Sequence, residues 1–201
     1  MKAIFYDWGG LNVWLFHVVN GARSEWLDQL MLLGTKLGSH TNFAVYIALT
    51  AFIGVAMASR NPARQPEQVM RWLVVVAVFS VAYVADGALL GWLKPLLDFP
   101  RPPLALPPGT VNVIGAPEYH HSLPSGHSSF AMLVAASLWP VFTRAWRAAA
   151  CAFVLWVGLS RISLGAHFPA DVLAGFVSAL TVVLLVRQLI LFSARFAARI
   201  S

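Results

Sequence analysis

Hydrophobic residues along this chain fall into long runs separated by short polar punctuation. Five stretches, 43–59, 70–93, 126–142, 148–164 and 170–192, are largely apolar. A membrane-crossing helix needs about 20 predominantly apolar residues, within a range of about 17–25. The pattern therefore predicts an all-α integral membrane helical bundle of about five transmembrane helices. The amino-terminal forty residues follow a different pattern. There "LNVWLFHVVNGARSEWLDQLMLLG" is interrupted by Asn12, His17, Asn20, Arg23, Glu25 and Asp28, too polar for a lipid-facing span. One or two amphipathic interfacial helices are expected in 1–40, with Trp8, Trp14 and Trp26 as anchors at headgroup depth. A sixth span, buried against the others, is the alternative. No internal repeat or low-complexity segment interrupts the chain, so 1–201 reads as one domain.

Composition strengthens the membrane reading. Of 201 residues, 59% are hydrophobic and only 11% charged, against about 25% charged in an ordinary soluble domain. The net charge of +6 then belongs to residues flanking the spans, not to a nucleic-acid surface. Arg60, Arg64 and Arg71 follow the first span, Arg144 and Arg147 the third, and Arg195 and Arg199 the fifth. These fall on one side of the membrane, and the positive-inside rule makes that side the cytoplasm. The first ten residues, "MKAIFYDWGG", lack the pattern of a cleavable signal peptide. The single cysteine, Cys151, excludes an intramolecular disulfide and a cysteine-based metal cluster. Its apolar setting, "AAACAFVLWVG", predicts a buried, inert thiol.

The polar residues of the opposite face collect at three places within 94–175. The first is the connection 94–125, which holds eight of the twelve prolines and so predicts a stiff, non-helical loop. It carries Lys94 and, between Pro100 and Pro102, Arg101. The second is "PSGH", where Ser125 and Gly126 sit at the amino terminus of the third span. Unpaired N–H groups and the helix dipole favour an anion there, and glycine lets it approach the backbone. His127, at the edge of an apolar helix, is expensive unless paired or functional. The third place is "SRISLGAHFPAD", with Arg161 ending the fourth span and His167 four residues before Asp171. A carboxylate that accepts from one imidazole nitrogen fixes the tautomer and leaves the other nitrogen free as a nucleophile. Asp86, inside the second span, and His120 and His121, just before PSGH, are further substrate-contacting candidates; Glu118 shares their loop. No carboxylate cluster has metal-ligand spacing, so no metal or other cofactor is expected.

At these residues the chain resembles the type 2 phosphatidic acid phosphatase family. The signature K-x6-R-P appears as "KPLLDFPRP", P-S-G-H as "PSGH", and S-R-x5-H-x3-D as "SRISLGAHFPAD", in order and without a departure. The resemblance implies a metal-independent membrane phosphatase that works through a phosphohistidine intermediate. By that resemblance His167 is the nucleophile, oriented by Asp171, and His127 is the general acid and then base. Lys94, Arg101, Ser125, Gly126 and Arg161 hold the phosphate. Small bacterial members of the family act on undecaprenyl diphosphate, phosphatidylglycerol phosphate, phosphatidic acid or lipid A phosphates.

A site on the face opposite the positive loops implies a bacterial inner-membrane protein whose active site faces the periplasm. The expected partners are the bilayer and a lipid phosphate whose tail stays in it. Carrier-lipid recycling there favours undecaprenyl diphosphate as substrate. A transporter that binds phosphate without hydrolysing it is the reading from another class. The absence of duplicated halves, and the lack of any use for a His167–Asp171 pair in passive binding, weigh against it.

Overall fold

The computed structural model describes residues 6–60 and 62–200, with side chains to residue 196. Residues 1–5, and the Arg199 side chain counted above among the cytoplasmic charges, lie outside that description. The described chain is helical, without strands. After a 3-10 turn come α1 (Leu11–Gly21), α2 (Glu25–Leu37), α3 (Phe43–Ser59), α4 (Gln65–Leu97), α5 (Gly126–Leu138), α6 (Arg144–Ser163) and α7 (Pro169–Ile200). Among the described residues four helical segments, those containing α3, α4, α6 and α7, are long and apolar enough to cross a membrane.

The third expected span is the exception. Helix α5 has 13 residues, about 20 Å at 1.5 Å per residue, and ends before the sequence 139–142 that its hydropathy seemed to include. It does not need the full span length because little of it meets lipid. Phe130, Leu133 and Val134 of α5 are buried among Val78, Phe79 and Ala82 of α4 and Ala179 and Val183 of α7. Ala131 and Ala135 turn to Val154 and Val157 of α6. α5 is therefore the central post of the bundle, and apolar residues such as Phe52, Val55, Val84, Leu155 and Leu189 remain exposed on the surrounding helices. The Arg71 guanidinium donates to the carbonyl of Pro140. That contact places the start of α4 and the α5–α6 connection at the same end, as the charge pattern requires.

The amino-terminal segment does not form a sixth span. α1 and α2 contain 11 and 13 residues, too few to cross hydrocarbon, and they pack against α6, with α1 also reaching α7. Trp14 and Trp26 are exposed, as anchors would be. Two of the polar interruptions, however, face protein and not an interface: Asn12 and Asn20 are each 1% exposed. The connection 94–125 is also less irregular than its prolines predict. Its first residues prolong α4 to Leu97, and Pro102–Ala105 forms one helical turn with proline at the start, where its missing N–H costs nothing. Cys151 contradicts its expected burial. It is exposed on α6, because the apolar side of α6 that carries it faces outward, not into the core.

Candidate active site

Three chain segments converge on one end of α5. The amide of Ser125 donates to the Asp171 carbonyl at 2.9 Å, tying the PSGH turn to the first turn of α7. This closeness requires Gly175, where a Cβ would lie 2.5 Å from the Ser125 carbonyl oxygen. The turn between α6 and α7 closes on the Arg161 carbonyl, which accepts from the amides of Ala166 and His167 at 3.0 and 3.2 Å. Gly165 makes that turn with φ +75°, and a side chain there would also meet the Asn112 carbonyl. His167 is thereby held in a rigid corner, 1% exposed.

The His167 ring has a different partner on each nitrogen. Nδ1 lies 3.4 Å from Asp171 Oδ2 and 3.4 Å from the Ser122 hydroxyl, which itself donates to the same carboxylate oxygen at 2.5 Å. Nε2 faces Arg101 Nη1 at 3.2 Å. Asp171 is completely buried, yet every oxygen lone pair in use has a donor. Phe168 N reaches Oδ2 at 2.8 Å and the Tyr6 hydroxyl reaches Oδ1 at 2.8 Å. A buried carboxylate can stay ionised only with such partners. Burial and the Asp171 charge raise the Tyr6 phenol far above its ordinary range, so it remains a donor. Burial also pushes the His167 imidazole down to about 4, against the opposing pull of Asp171. The ring is therefore neutral at pH 7, with a lone pair on Nε2.

Arg101 faces that lone pair and Arg161 acts on the ring electrostatically, and both arginines and Lys94 are held by backbone or side-chain contacts. Arg101 is 6% exposed. Its Nε donates to the His120 carbonyl at 2.9 Å, Nη1 also approaches the Ala166 carbonyl at 3.4 Å, and Nη2 pairs with Glu118 at 2.6 Å. Arg161 donates to Thr35 Oγ1, while its buried Nε has no partner among the described residues. Lys94 Nζ reaches the His121 carbonyl at 3.4 Å. Ser125 is fully buried, and its hydroxyl caps α5 by accepting from the amide and hydroxyl of Ser128. Gly126 and partly buried His127 form the first helical turn beyond it, and the His127 ring lies edge-on to that of His40, 6.2 Å away.

His120 and His121 differ from the other candidates. Their rings are 63% and 49% exposed and turn toward Asp98, at 3.6 and 3.1 Å. What they give the site is backbone: their carbonyls hold Arg101 and Lys94. His121 sits at φ 57°, a left-handed conformation that swings its ring outward. Asp86 lies deeper along α4, 5% exposed, with one oxygen taken by the Ser129 hydroxyl. The residues that sequence reasoning missed are Tyr6, Thr35, His40 and Ser122. Three of them come from the first forty residues, whose hydropathy carried no catalytic signal. Ser122 is a loop serine with nothing in its spacing to mark it. Among the described residues no three His, Cys, Asp or Glu side chains cluster as a metal site.

Comparison with known proteins sets this geometry in a family. The model of the PAP2 superfamily matches residues 73–195. The lipid A 1-phosphatase of Rhizobium johnstonii is 33% identical over 108 residues, which is 52% of this chain and 42% of that protein. Human glucose-6-phosphatase 3 is 44% identical over 71 residues, 27% of this chain and 20% of that protein. The chain thus spans less than half the length of the curated relatives it matches. Among solved structures, Aquifex aeolicus LpxE aligns with TM-score 0.72 and 26% identity over 89% of this chain and 95% of its own. The PAP2-type phosphatidylglycerolphosphate phosphatase of Bacillus subtilis shares the fold, with TM-score 0.63 and 24% identity over 90% of this chain and 85% of its own. With its three signature segments converging at one end of α5 and the family model matching 73–195, the chain belongs to the PAP2 superfamily.

Proposed function

We propose that the protein is an integral-membrane phosphatase that removes phosphate from a lipid phosphate through a phosphohistidine at His167. The observation that carries this reading is a buried imidazole whose Nε2 faces Arg101 Nη1 at 3.2 Å while Nδ1 is turned to Asp171 at 3.4 Å. Nε2 attacks phosphorus and the bond from phosphorus to the lipid oxygen breaks. Burial and the nearby Arg161 hold the His127 imidazole well below its ordinary range, so it takes up a proton as the bound phosphate's charge opposes them, and gives that proton to the leaving oxygen. Water then attacks the N–P bond, His127 takes the water's proton, and inorganic phosphate leaves with both histidines restored. Arg101, Lys94, the free Nε of Arg161 and the amino terminus of α5 stabilise the charge on the non-bridging oxygens.

The site lies at the end of the bundle opposite Arg71 and the α5–α6 connection. By the positive-inside rule it faces the periplasm of a bacterial inner membrane, which suits a substrate whose tail stays in the outer leaflet. Undecaprenyl diphosphate, favoured by position alone, gains nothing from the relatives. The similarity to a lipid A 1-phosphatase moves the preferred substrate to the anomeric phosphate of an acylated glycolipid. Phosphate release by purified protein is the test, across that glycolipid, undecaprenyl diphosphate, phosphatidylglycerol phosphate and phosphatidic acid, with excess EDTA present. His167→Ala should abolish release. His127→Ala should be severely slowed and should keep most of its residual rate with a good leaving group. Phosphate binding without release by the wild type would leave a transporter as the better reading.

A further inference from the structure

Arg187 sits inside the apolar run of α7, partly buried, with no hydrogen bond or ion pair among the described residues. A cation within a membrane helix calls for a partner. Arg187 lies 18 residues beyond Pro169, a rise of about 27 Å. In a hydrocarbon core about 30 Å thick it stands at headgroup depth, on the side away from the phosphate cradle. Two cavities meet at it. One, of about 300 Å³, is lined by Arg71 of α4 and Arg187; Arg71 is exposed and uses one guanidinium nitrogen on the Pro140 carbonyl. The other, of about 560 Å³, is apolar and runs between α5, α6 and α7 from Arg187 past Leu184, Leu180 and Cys151 to Phe176. Phe176 to Arg187 is a rise of about 16 Å, close to half the hydrocarbon core and so the depth of one leaflet. Leu155, Leu180 and Leu184 are exposed, so this cavity opens sideways to the bilayer. No carboxylate lines either cavity. Arg147, 5.2 Å from the ring of Trp139, which also lines the apolar cavity, adds a third cation.

We infer that this end of the bundle binds one anionic phospholipid, its phosphate between Arg71 and Arg187 and one acyl chain in the cavity between α5, α6 and α7. The leaflet is the one on the Arg71 side, cytoplasmic by the positive-inside rule. The bound lipid is a resident and not a substrate, because the length of α7 separates its phosphate from His167. The site goes beyond the phosphatase reading and does not depend on it. Charge selects the headgroup. A zwitterionic lipid brings the same phosphate, but its ammonium would meet three cations and no carboxylate. Basic pockets between spans on the cytoplasmic side suit anionic headgroups for this reason. The apolar cavity selects for a chain, since free phosphate would occupy only the smaller cavity and leave the larger one open.

Cys151 lines the apolar cavity and is the single cysteine of the chain, so its alkylation by a small maleimide in detergent reports occupancy without any substitution. Phosphatidylglycerol, phosphatidylcholine with identical chains, and inorganic phosphate would each be titrated against the purified protein. Half-protection of Cys151 is expected at a mole fraction of phosphatidylglycerol at least about tenfold lower than of phosphatidylcholine. Phosphate alone should give no protection. Arg187→Gln should remove most of the difference between the two lipids. Leu180→Trp fills the cavity from an exposed position and should abolish the lipid-dependent protection by either. Equal half-protection of the wild type by the two lipids would show that Arg187 only snorkels to whatever headgroup is near, and would overturn the inference. That comparison needs no variant, so it decides even if a variant fails to fold. Protection by phosphate alone, or a phosphatidylglycerol preference that survives Arg187→Gln unchanged, would overturn it as well.

Discussion

Glu118 lies where a phosphate should go: its carboxylate pairs with Arg101 Nη2 at 2.6 Å while Glu118 itself is 58% exposed. Its charge also acts on Lys94 and Arg161, so one loop carboxylate addresses all three cations. In this state each guanidinium nitrogen of Arg101 has a partner, with Nη1 facing His167 Nε2, the nucleophile proposed above. An arriving phosphate must take over both the Glu118 and the His167 contacts of Arg101.

Glu118→Gln should therefore tighten phosphate binding. An ion pair with an exposed member is worth about 0.2–1 kcal/mol, so KM for a lipid phosphate should fall by up to about fivefold, with kcat little changed. The inhibition constant for inorganic phosphate should fall in parallel. A raised KM would show that Glu118 positions Arg101 for substrate and does not compete with it.

Tyr6 reaches Asp171 from a distant part of the chain, and only through one hydroxyl. Tyr6→Phe removes that donor and leaves Asp171 Oδ1 unpaired in a dry site. A hydrogen bond to a charged group is worth about 1.5–3 kcal/mol, so kcat should fall roughly tenfold or more. KM should hold, because the phenol does not touch the phosphate. Steady-state kinetics decide it; a pure KM effect would move Tyr6 from positioning the carboxylate to binding substrate.

His167 should titrate well below an ordinary imidazole. With a folded value of about 4, against about 6.5 in an unfolded chain, the unfolded state binds more protons between those limits. Its contribution to stability is thus fully present above about pH 6.5 and lost as pH falls toward 4. Nitrogen-15 spectra of the purified protein should show the His167 ring neutral at pH 5.5. A His167 midpoint near 6.5 would contradict the burial argument.

Orientation can be read with thiol labelling, provided that exposed Cys151 is first replaced by alanine. In that background a cysteine at exposed Thr110 should react with an impermeant reagent in intact spheroplasts, and one at exposed Arg64 should not. The reverse pattern would put the site on the cytoplasmic leaflet.

How much of this was legible in the sequence follows from the range of the interactions involved. Hydropathy is local, so it identified α3, α4, α6 and α7, each bounded by its own composition. The three signature segments were equally plain, because a phosphate cradle needs particular residue types at fixed short spacings. His167 and Asp171 are a single helical turn apart, and Ser125 caps the helix that it begins. Hydropathy misjudged α5, since a short helix wrapped in protein and a longer one facing lipid are equally apolar. It misjudged Cys151 for the same reason: apolar surroundings in sequence do not distinguish the core from the bilayer. Only tertiary structure brought Tyr6 to Asp171 across 165 residues and Thr35 to Arg161 across 126. It also turned the polar residues Asn12 and Asn20 inward, where Asn20 holds the carbonyls of Asn112 and Ser163. Such contacts join segments with no shared periodicity, and each is fixed by where helices cross, which no local pattern encodes.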